Sequence, residues 1–179
     1  AYARGLGLEV LDIDCVESID VTIDGADEVG PRLDLIKGLG GALLREKIVA
    51  SMTEKEVIVV DEFKVVDRLG TSAPLPVEVC GFAHVATARA LEGLGCEPVL
   101  RLKDGRPFVT DGGNLIYDCR FDGIDDPSYL ETAIDTIPGV VECGLFVGLT
   151  HAVEAYREED DSVIELRITD RRAGPRGSP

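Results

Sequence analysis

Two β-prone runs, Val21-Thr22-Ile23 and Val57-Ile58-Val59-Val60, bracket one amphipathic helical stretch over 42–52. That arrangement leaves few topologies open. A strand, one helix and a second apolar strand close as a right-handed crossover with the strands parallel in one sheet. The short, uniformly apolar VIVV run has the pattern of a strand covered on both faces. The spacing therefore predicts a βαβ unit of a doubly wound, Rossmann-like sheet, with Leu44, Ile48 and Met52 as the helix row that enters the core.

Open parallel sheets bind ligands at the C-terminal ends of their strands, where the chemistry-bearing residues of this chain also fall. Asp24 and Asp27 stand in the turn Asp24-Gly25-Ala26-Asp27-Glu28, directly after the first run. Lys37 precedes Gly38-Leu39-Gly40-Gly41, and that turn opens the helix carrying Glu46. A glycine-rich turn at a helix N-terminus offers free backbone N–H groups to an anion or a developing oxyanion.

Taken singly these signals are weak. Asp commonly caps turns, an isolated Lys is commonly solvated, and Glu28 is assigned to the surface. Glu46 says more: its helical neighbours Ala42, Leu43, Val49 and Ala50 include no cation, whereas a surface Glu commonly has one. The turn is no dinucleotide fingerprint. Leu43 stands at its last glycine position and no clear strand precedes it, so NAD is not expected.

The rest of the chain reads as a second rhythm. Residues 1–14 suggest a helix tail, a Gly stop and a strand over 9–13. Pro74 and Pro76 mark a boundary, because proline interrupts helices and strand ladders alike. Strands over 77–80, 98–102, 114–119 and 140–146, with helices over 84–94 and 127–137, give β-α-β-β-α-β, a ferredoxin-like α+β unit. This unit shows no polar constellation, so packing or subunit contact is its expected job. Strands over 151–156 and 163–168 return to the first sheet. The expected organisation is a Rossmann-like unit from 1–73 and 147–170, incomplete at its N-terminus, an inserted ferredoxin-like unit over 74–146, and a disordered polar tail over 171–179.

A net charge of −16 disfavours nucleic acid and anionic membranes as partners. Any anionic ligand needs local cations and N–H groups to override that field, which salt screens beyond about 10 Å. Only five of the eighteen basic residues are Lys, a composition that fits a halophile's surface or an Arg-favouring genome. Cys15, Cys80, Cys96, Cys119 and Cys143 show no C-x-x-C pairing and read as buried thiols of a reducing cytoplasm. With His84 and His151 the only histidines, neither is given a role and no metal site is expected.

The motifs Asp24-Gly25-Ala26-Asp27-Glu28, Lys37-Gly38-Leu39-Gly40 and Arg45-Glu46-Lys47, in that order, closely resemble ribose-5-phosphate isomerases of the A type. The resemblance continues through Leu75-Pro76-Val77-Glu78-Val79, 109–114, 137–140 and 144–146. It implies a cofactor-free, cytoplasmic enzyme of the non-oxidative pentose phosphate pathway, a homodimer or homotetramer. Such an enzyme interconverts ribose 5-phosphate and ribulose 5-phosphate through an enediolate. Carried over residue by residue, the resemblance makes Glu46 the proton acceptor and Asp24 the helper in ring opening. Lys37 with Gly38, Leu39 and Gly40 would hold the oxyanion, while Gly25, Ala26, Asp27 and Lys64 contact the sugar.

There are departures from the family pattern. Phe63 stands before Lys64 where the family usually has Ser. Leu39 stands where the family usually has Gly, and its Cβ is expected to restrict φ and crowd the ligand side of the turn. The family's N-terminal third, with a phosphate-gripping loop, is absent, so the chain reads as truncated. A sugar-phosphate sensor without catalysis, or an inactive fragment, stays open beside the isomerase.

Overall fold

The structure is a computed structural model that describes residues 2–166. The expected tail over 171–179, and the end of the strand expected over 163–168, lie outside the described residues. In chain order the elements are α1 (Tyr2–Gly5), a 3-10 turn at Ile13–Cys15, β1 (Ile19–Asp24), β2 (Glu28–Val29), β3 (Leu35–Ile36), α2 (Leu43–Ser51) and β4 (Thr53–Asp61). A second 3-10 turn, Glu62–Lys64, is followed by β5 (Leu75–Val79), α3 (His84–Glu92), β6 (Glu97–Leu100), β7 (Leu102–Lys103), β8 (Arg106–Pro107) and β9 (Leu115–Arg120). The chain continues with α4 (Pro127–Asp135), β10 (Val140–Cys143), β11 (Leu145–Phe146), β12 (Thr150–Arg157) and β13 (Ser162–Leu166).

The first sheet has the order β1-β4-β12-β13. β1 and β12 run parallel to β4 on either side of it, and β13 closes the sheet antiparallel. This is the βαβ crossover predicted from the two apolar runs, with the late strands returning to it. The second sheet, β10-β5-β9-β6, is antiparallel throughout. Together with α3 and α4 it forms the ferredoxin-like unit.

A small third sheet, β11-β3-β2, stands between the two cores. Paired Leu145 and Ile36 enter the core under the antiparallel sheet, while paired Phe146 and Leu35 enter the core of the parallel one. The single strand expected over 140–146 is therefore two, split at Gly144. A Cβ at Gly144 would press on the Lys37 carbonyl oxygen and on Pro76.

Several expectations change. No strand forms over 9–13; those residues are exposed and only Ile13 joins the 3-10 turn. Among the described residues their backbone joins no sheet. The VIVV run is covered on one face only: Ile58 and Val60 are buried while Val59 is half-exposed. Pro76 sits inside β5, where its carbonyl accepts from Gly144 N–H at 2.8 Å. On α2 the inward row is Leu43, Lys47 and Ala50, and Ile48 faces out. Cys15 and Cys80 are exposed, and only Cys96, Cys119 and Cys143 are buried.

Glu28 is the largest correction, being fully buried. Its carboxylate accepts from the backbone N–H groups of Gly70, Ser72 and Ala73 at 2.6, 2.5 and 2.6 Å. Charge-assisted bonds of this kind are the strong ones. They pin the chain where it passes from the parallel to the antiparallel sheet. Asp34 Oδ1 accepts from Gly148 N–H at 3.2 Å, where the chain passes back. Residues of the β2–β3 segment thus fasten both crossings.

Candidate active site

β1 ends at Asp24, and the turn beyond it bends back so that Asp27 N–H reaches the Ile36 carbonyl at 2.8 Å. That bond sets the acidic turn beside the end of β3. Lys37 follows β3 directly and is held by its own N–H on the Gly144 carbonyl at 2.9 Å. A two-residue strand therefore does precede the glycine turn, which is too short to read from hydrophobic pattern.

Lys37 is 3% exposed. Its ammonium donates to Asp24 Oδ2 at 2.8 Å and to the Gly25 carbonyl, and lies 3.3 Å from Glu46 Oε2. The first two contacts are hydrogen bonds and the third is an ion pair, so this buried cation stands between two carboxylates and sets their spacing. Glu46 has its cation after all, supplied by the neighbouring turn and not by its own helix. The Phe146 ring lies 5.5 Å from the Lys37 ammonium and 5.3 Å from that of Lys47.

Nine of the ten residues singled out from the sequence line one pocket of about 200 Å³. Asp24, Gly25, Ala26 and Asp27 form one wall, while Lys37, Gly38, Gly40 and Glu46 form another. Lys64 completes it, its ammonium donating to the Ala26 carbonyl at 2.9 Å. Asp27 Oδ2 is occupied by Leu39 N–H at 2.9 Å.

Leu39 is the residue outside the pocket, and it is 42% exposed. The left-handed backbone of the turn falls on Gly38 (φ 100°) and Gly41 (φ 90°), not on Leu39. The expected crowding does not arise, because the two flanking glycines take the strained conformations and Leu39 points to solvent. Leu39→Gly is therefore expected to leave ligand affinity unchanged and to lower stability by no more than about 1 kcal/mol, through backbone entropy alone. Calorimetric titration and a denaturant melt check both halves.

Pattern reading missed four further groups. Arg101 donates from Nη1 to the Gly38 and Leu39 carbonyls at 3.1 and 3.0 Å. The other side of its guanidinium holds Asp118, with Nε 2.9 Å from Oδ2. Lys47 reaches Glu142 at 2.6 Å and Glu131 at 3.0 Å, tying α2 to β10 and α4. Burial pulls its ammonium toward deprotonation, but Cys143, Glu142 and Glu131 outweigh that and raise its pKa. Asp135, Glu142 and Cys143 lie close enough together to ligate a cation, and Lys47 is the cation that stands there. The antiparallel unit thus carries polar clusters that its sequence pattern does not show.

The third missed group is Glu56, 1% exposed on β4 opposite Thr22, with Oε2 unpartnered among the described residues. Burial first and the Asp24 carboxylate second push its carboxyl up to about 7, while Lys37 pulls it down. It stands near enough to Asp24 and Lys37 to feel both charges, and the apolar run that marks the strand begins one residue later. Glu28 is the fourth. The histidines sit outside the pocket: His84 Nδ1 meets the Tyr117 hydroxyl at 2.8 Å, and His151 Nδ1 accepts from Glu56 N–H at 3.1 Å.

A family model described as ribose 5-phosphate isomerase A (phosphoriboisomerase A) matches residues 1–160. Over 136 residues the chain is 62% identical to ribose-5-phosphate isomerase A of Gloeobacter violaceus, an overlap of 75% of this chain and 59% of that protein. The chain thus spans less than two thirds of that relative's length. A solved D-ribose-5-phosphate isomerase in complex with phospho-erythronic acid superposes with a TM-score of 0.88 at 39% identity, over 92% of this chain and 72% of that one. Ribose 5-phosphate isomerase A of Methanocaldococcus jannaschii superposes at 0.85 with 39% identity and the same two coverages.

Proposed function

The chain belongs to the ribose 5-phosphate isomerase A family, and on that footing we propose that its pocket interconverts D-ribose 5-phosphate and D-ribulose 5-phosphate through an enediolate. The observation that carries the reading is Lys37 Nζ held between Asp24 at 2.8 Å and Glu46 at 3.3 Å, all three lining one pocket. That spacing supports reading Glu46 as a base, Lys37 as an electrophile and Asp24 as a second proton carrier, all within one sugar's reach.

In this reading Asp24 accepts the hydroxyl proton that opens the ring and returns it to the ring oxygen. Glu46 then takes the C2 proton of the open aldose. The electron pair left behind forms the C1–C2 double bond, and negative charge develops on O1. Lys37 and the Gly40 N–H face that charge, so the electrostatic work is done by groups already in position. The protonated Glu46 returns its proton to C1, the O2 proton moves to O1, and the ketose is complete. Carboxylate, ammonium and backbone suffice for each step, and none draws on a cofactor. Lys64 adds positive charge at the pocket mouth for the phosphorylated end, in the cytoplasm where this metabolism runs. A homodimer or homotetramer is the assembly proposed.

The test is to incubate the chain with ribose 5-phosphate in deuterated water and follow the products by NMR. Ribulose 5-phosphate carrying deuterium at C1 is the expected result. Binding of the sugar phosphate without conversion would replace the isomerase reading with a sensor; absence of both would overturn the assignment of the pocket.

A further inference from the structure

We propose that Arg101, from the antiparallel unit, is a positioning residue that aims the Gly40 N–H into the pocket. The proposal rests on reading that pocket as an isomerase site.

The argument starts from peptide geometry. In a trans peptide the C=O and the following N–H point to opposite sides, and the described residues contain no cis peptide. Arg101 Nη1 holds the Gly38 carbonyl at 3.1 Å, so the next N–H, that of Leu39, must point away from Arg101. It does, reaching Asp27 Oδ2 on the pocket wall at 2.9 Å. The same nitrogen holds the Leu39 carbonyl at 3.0 Å. By the same geometry the Gly40 N–H points toward the pocket, which Gly40 lines. The two peptides differ in one respect: no protein acceptor among the described residues takes the Gly40 N–H. An aimed, unclaimed donor is what a developing oxyanion needs.

Arg101 is well fixed for the task. Asp118 on β9 grips the far side of its guanidinium through both Nε and Nη2. Its Cζ lies 5.9 Å from the centre of the Phe108 ring, and Phe108 fills the space that a Cβ on Gly41 would take. The arm from Arg101 to Phe108 therefore clasps the glycine turn at both ends. A Lys at position 101 would keep the charge but not the planar fork that holds Asp118 and two carbonyls together.

The experiment compares wild type, Arg101→Met, Arg101→Lys and Asp118→Asn in the whole chain. Two quantities are read: steady-state turnover of ribose 5-phosphate, and calorimetric binding of a phosphorylated four-carbon aldonate whose carboxylate stands where the enediolate forms. Arg101→Met is expected to lower kcat about 10- to 100-fold with KM within about threefold, because a donor realised in the transition state is misplaced. Aldonate affinity is expected to fall by a similar factor. Arg101→Lys should recover part of both, and Asp118→Asn should lose less than Arg101→Met. A lowered melting temperature with unchanged kcat and aldonate affinity would make Arg101 a plain structural brace and overturn the proposal. If wild type turns nothing over but binds the aldonate, and Arg101→Met weakens that binding, the isomerase reading fails while the positioning of Gly40 stands. Equal aldonate affinity in wild type and Arg101→Met overturns the positioning in either case.

Discussion

Glu46→Gln is expected to lower kcat by about 10²–10⁴-fold while leaving KM within a few fold, since a positioned general base acts on the barrier and not on ground-state binding. The substitution keeps shape and removes only the basic oxygen. Lys37 retains Asp24 at 2.8 Å and the Gly25 carbonyl, so the ammonium stays satisfied and the pocket keeps its form. The control is Asp24→Asn, which removes the nearer of Lys37's two carboxylates. In the proposed scheme Asp24 opens the ring, whereas Glu46 serves the proton transfer itself. A substrate that cannot cyclise, such as a four-carbon aldose phosphate, therefore separates the two roles. Asp24→Asn should approach wild-type turnover on it, and Glu46→Gln should stay inactive. Equal losses for both variants on both substrates would remove the division of labour. Full activity in Glu46→Gln would remove Glu46 as the base.

The site's outline was readable because its residues cluster in sequence. Asp24, Asp27, Lys37, Gly38, Gly40 and Glu46 lie on consecutive turns of one βαβ unit, and a crossover connection brings such turns to the same end of a sheet. The supports were not readable for the converse reason. Arg101 reaches Gly38 and Lys47 reaches Glu142 across 63 and 95 positions of chain. No local pattern encodes such a pair, and a polar side chain in a loop or on a helix looks the same whether solvated or clamped.

Burial of a polar row has the same cause. Hydrophobicity puts Leu44, Ile48 and Met52 on the inward side of α2, whereas the structure turns Lys47 inward, where it pairs with Glu131 and Glu142. An acid beside turn residues usually lies at the surface, which is the expectation for Glu28. Three backbone N–H groups from residues more than forty positions away reverse that preference. The ferredoxin-like unit, expected to serve packing or subunit contact, supplies Arg101 to the glycine turn and Glu142 to Lys47, and so touches the elements that line the pocket.

Glu56→Gln is expected to stabilise the chain at pH 8 by about 3 kcal/mol and to flatten its stability between pH 5 and 7. The sign follows from which state holds the proton. In the unfolded chain this carboxyl titrates near its ordinary value of 4.5, and in the native state only at about 7. Between those values the native state binds more protons than the unfolded one, so stability falls as pH rises through the window. Above about 7 the native carboxylate is charged and buried, no described residue partners Oε2, and the full penalty remains. Gln carries no charge at any of these pH values and removes the penalty. Burial also raises Glu131 and Asp135, so wild-type and variant curves should both slope downward. Their difference, measured by denaturant unfolding at closely spaced pH, isolates position 56. It should be near zero at pH 4.5 and grow to its full value above pH 7. Parallel curves would mean that Glu56 finds a partner or solvent on ionising, and that the Asp24 carboxylate does not feel its charge.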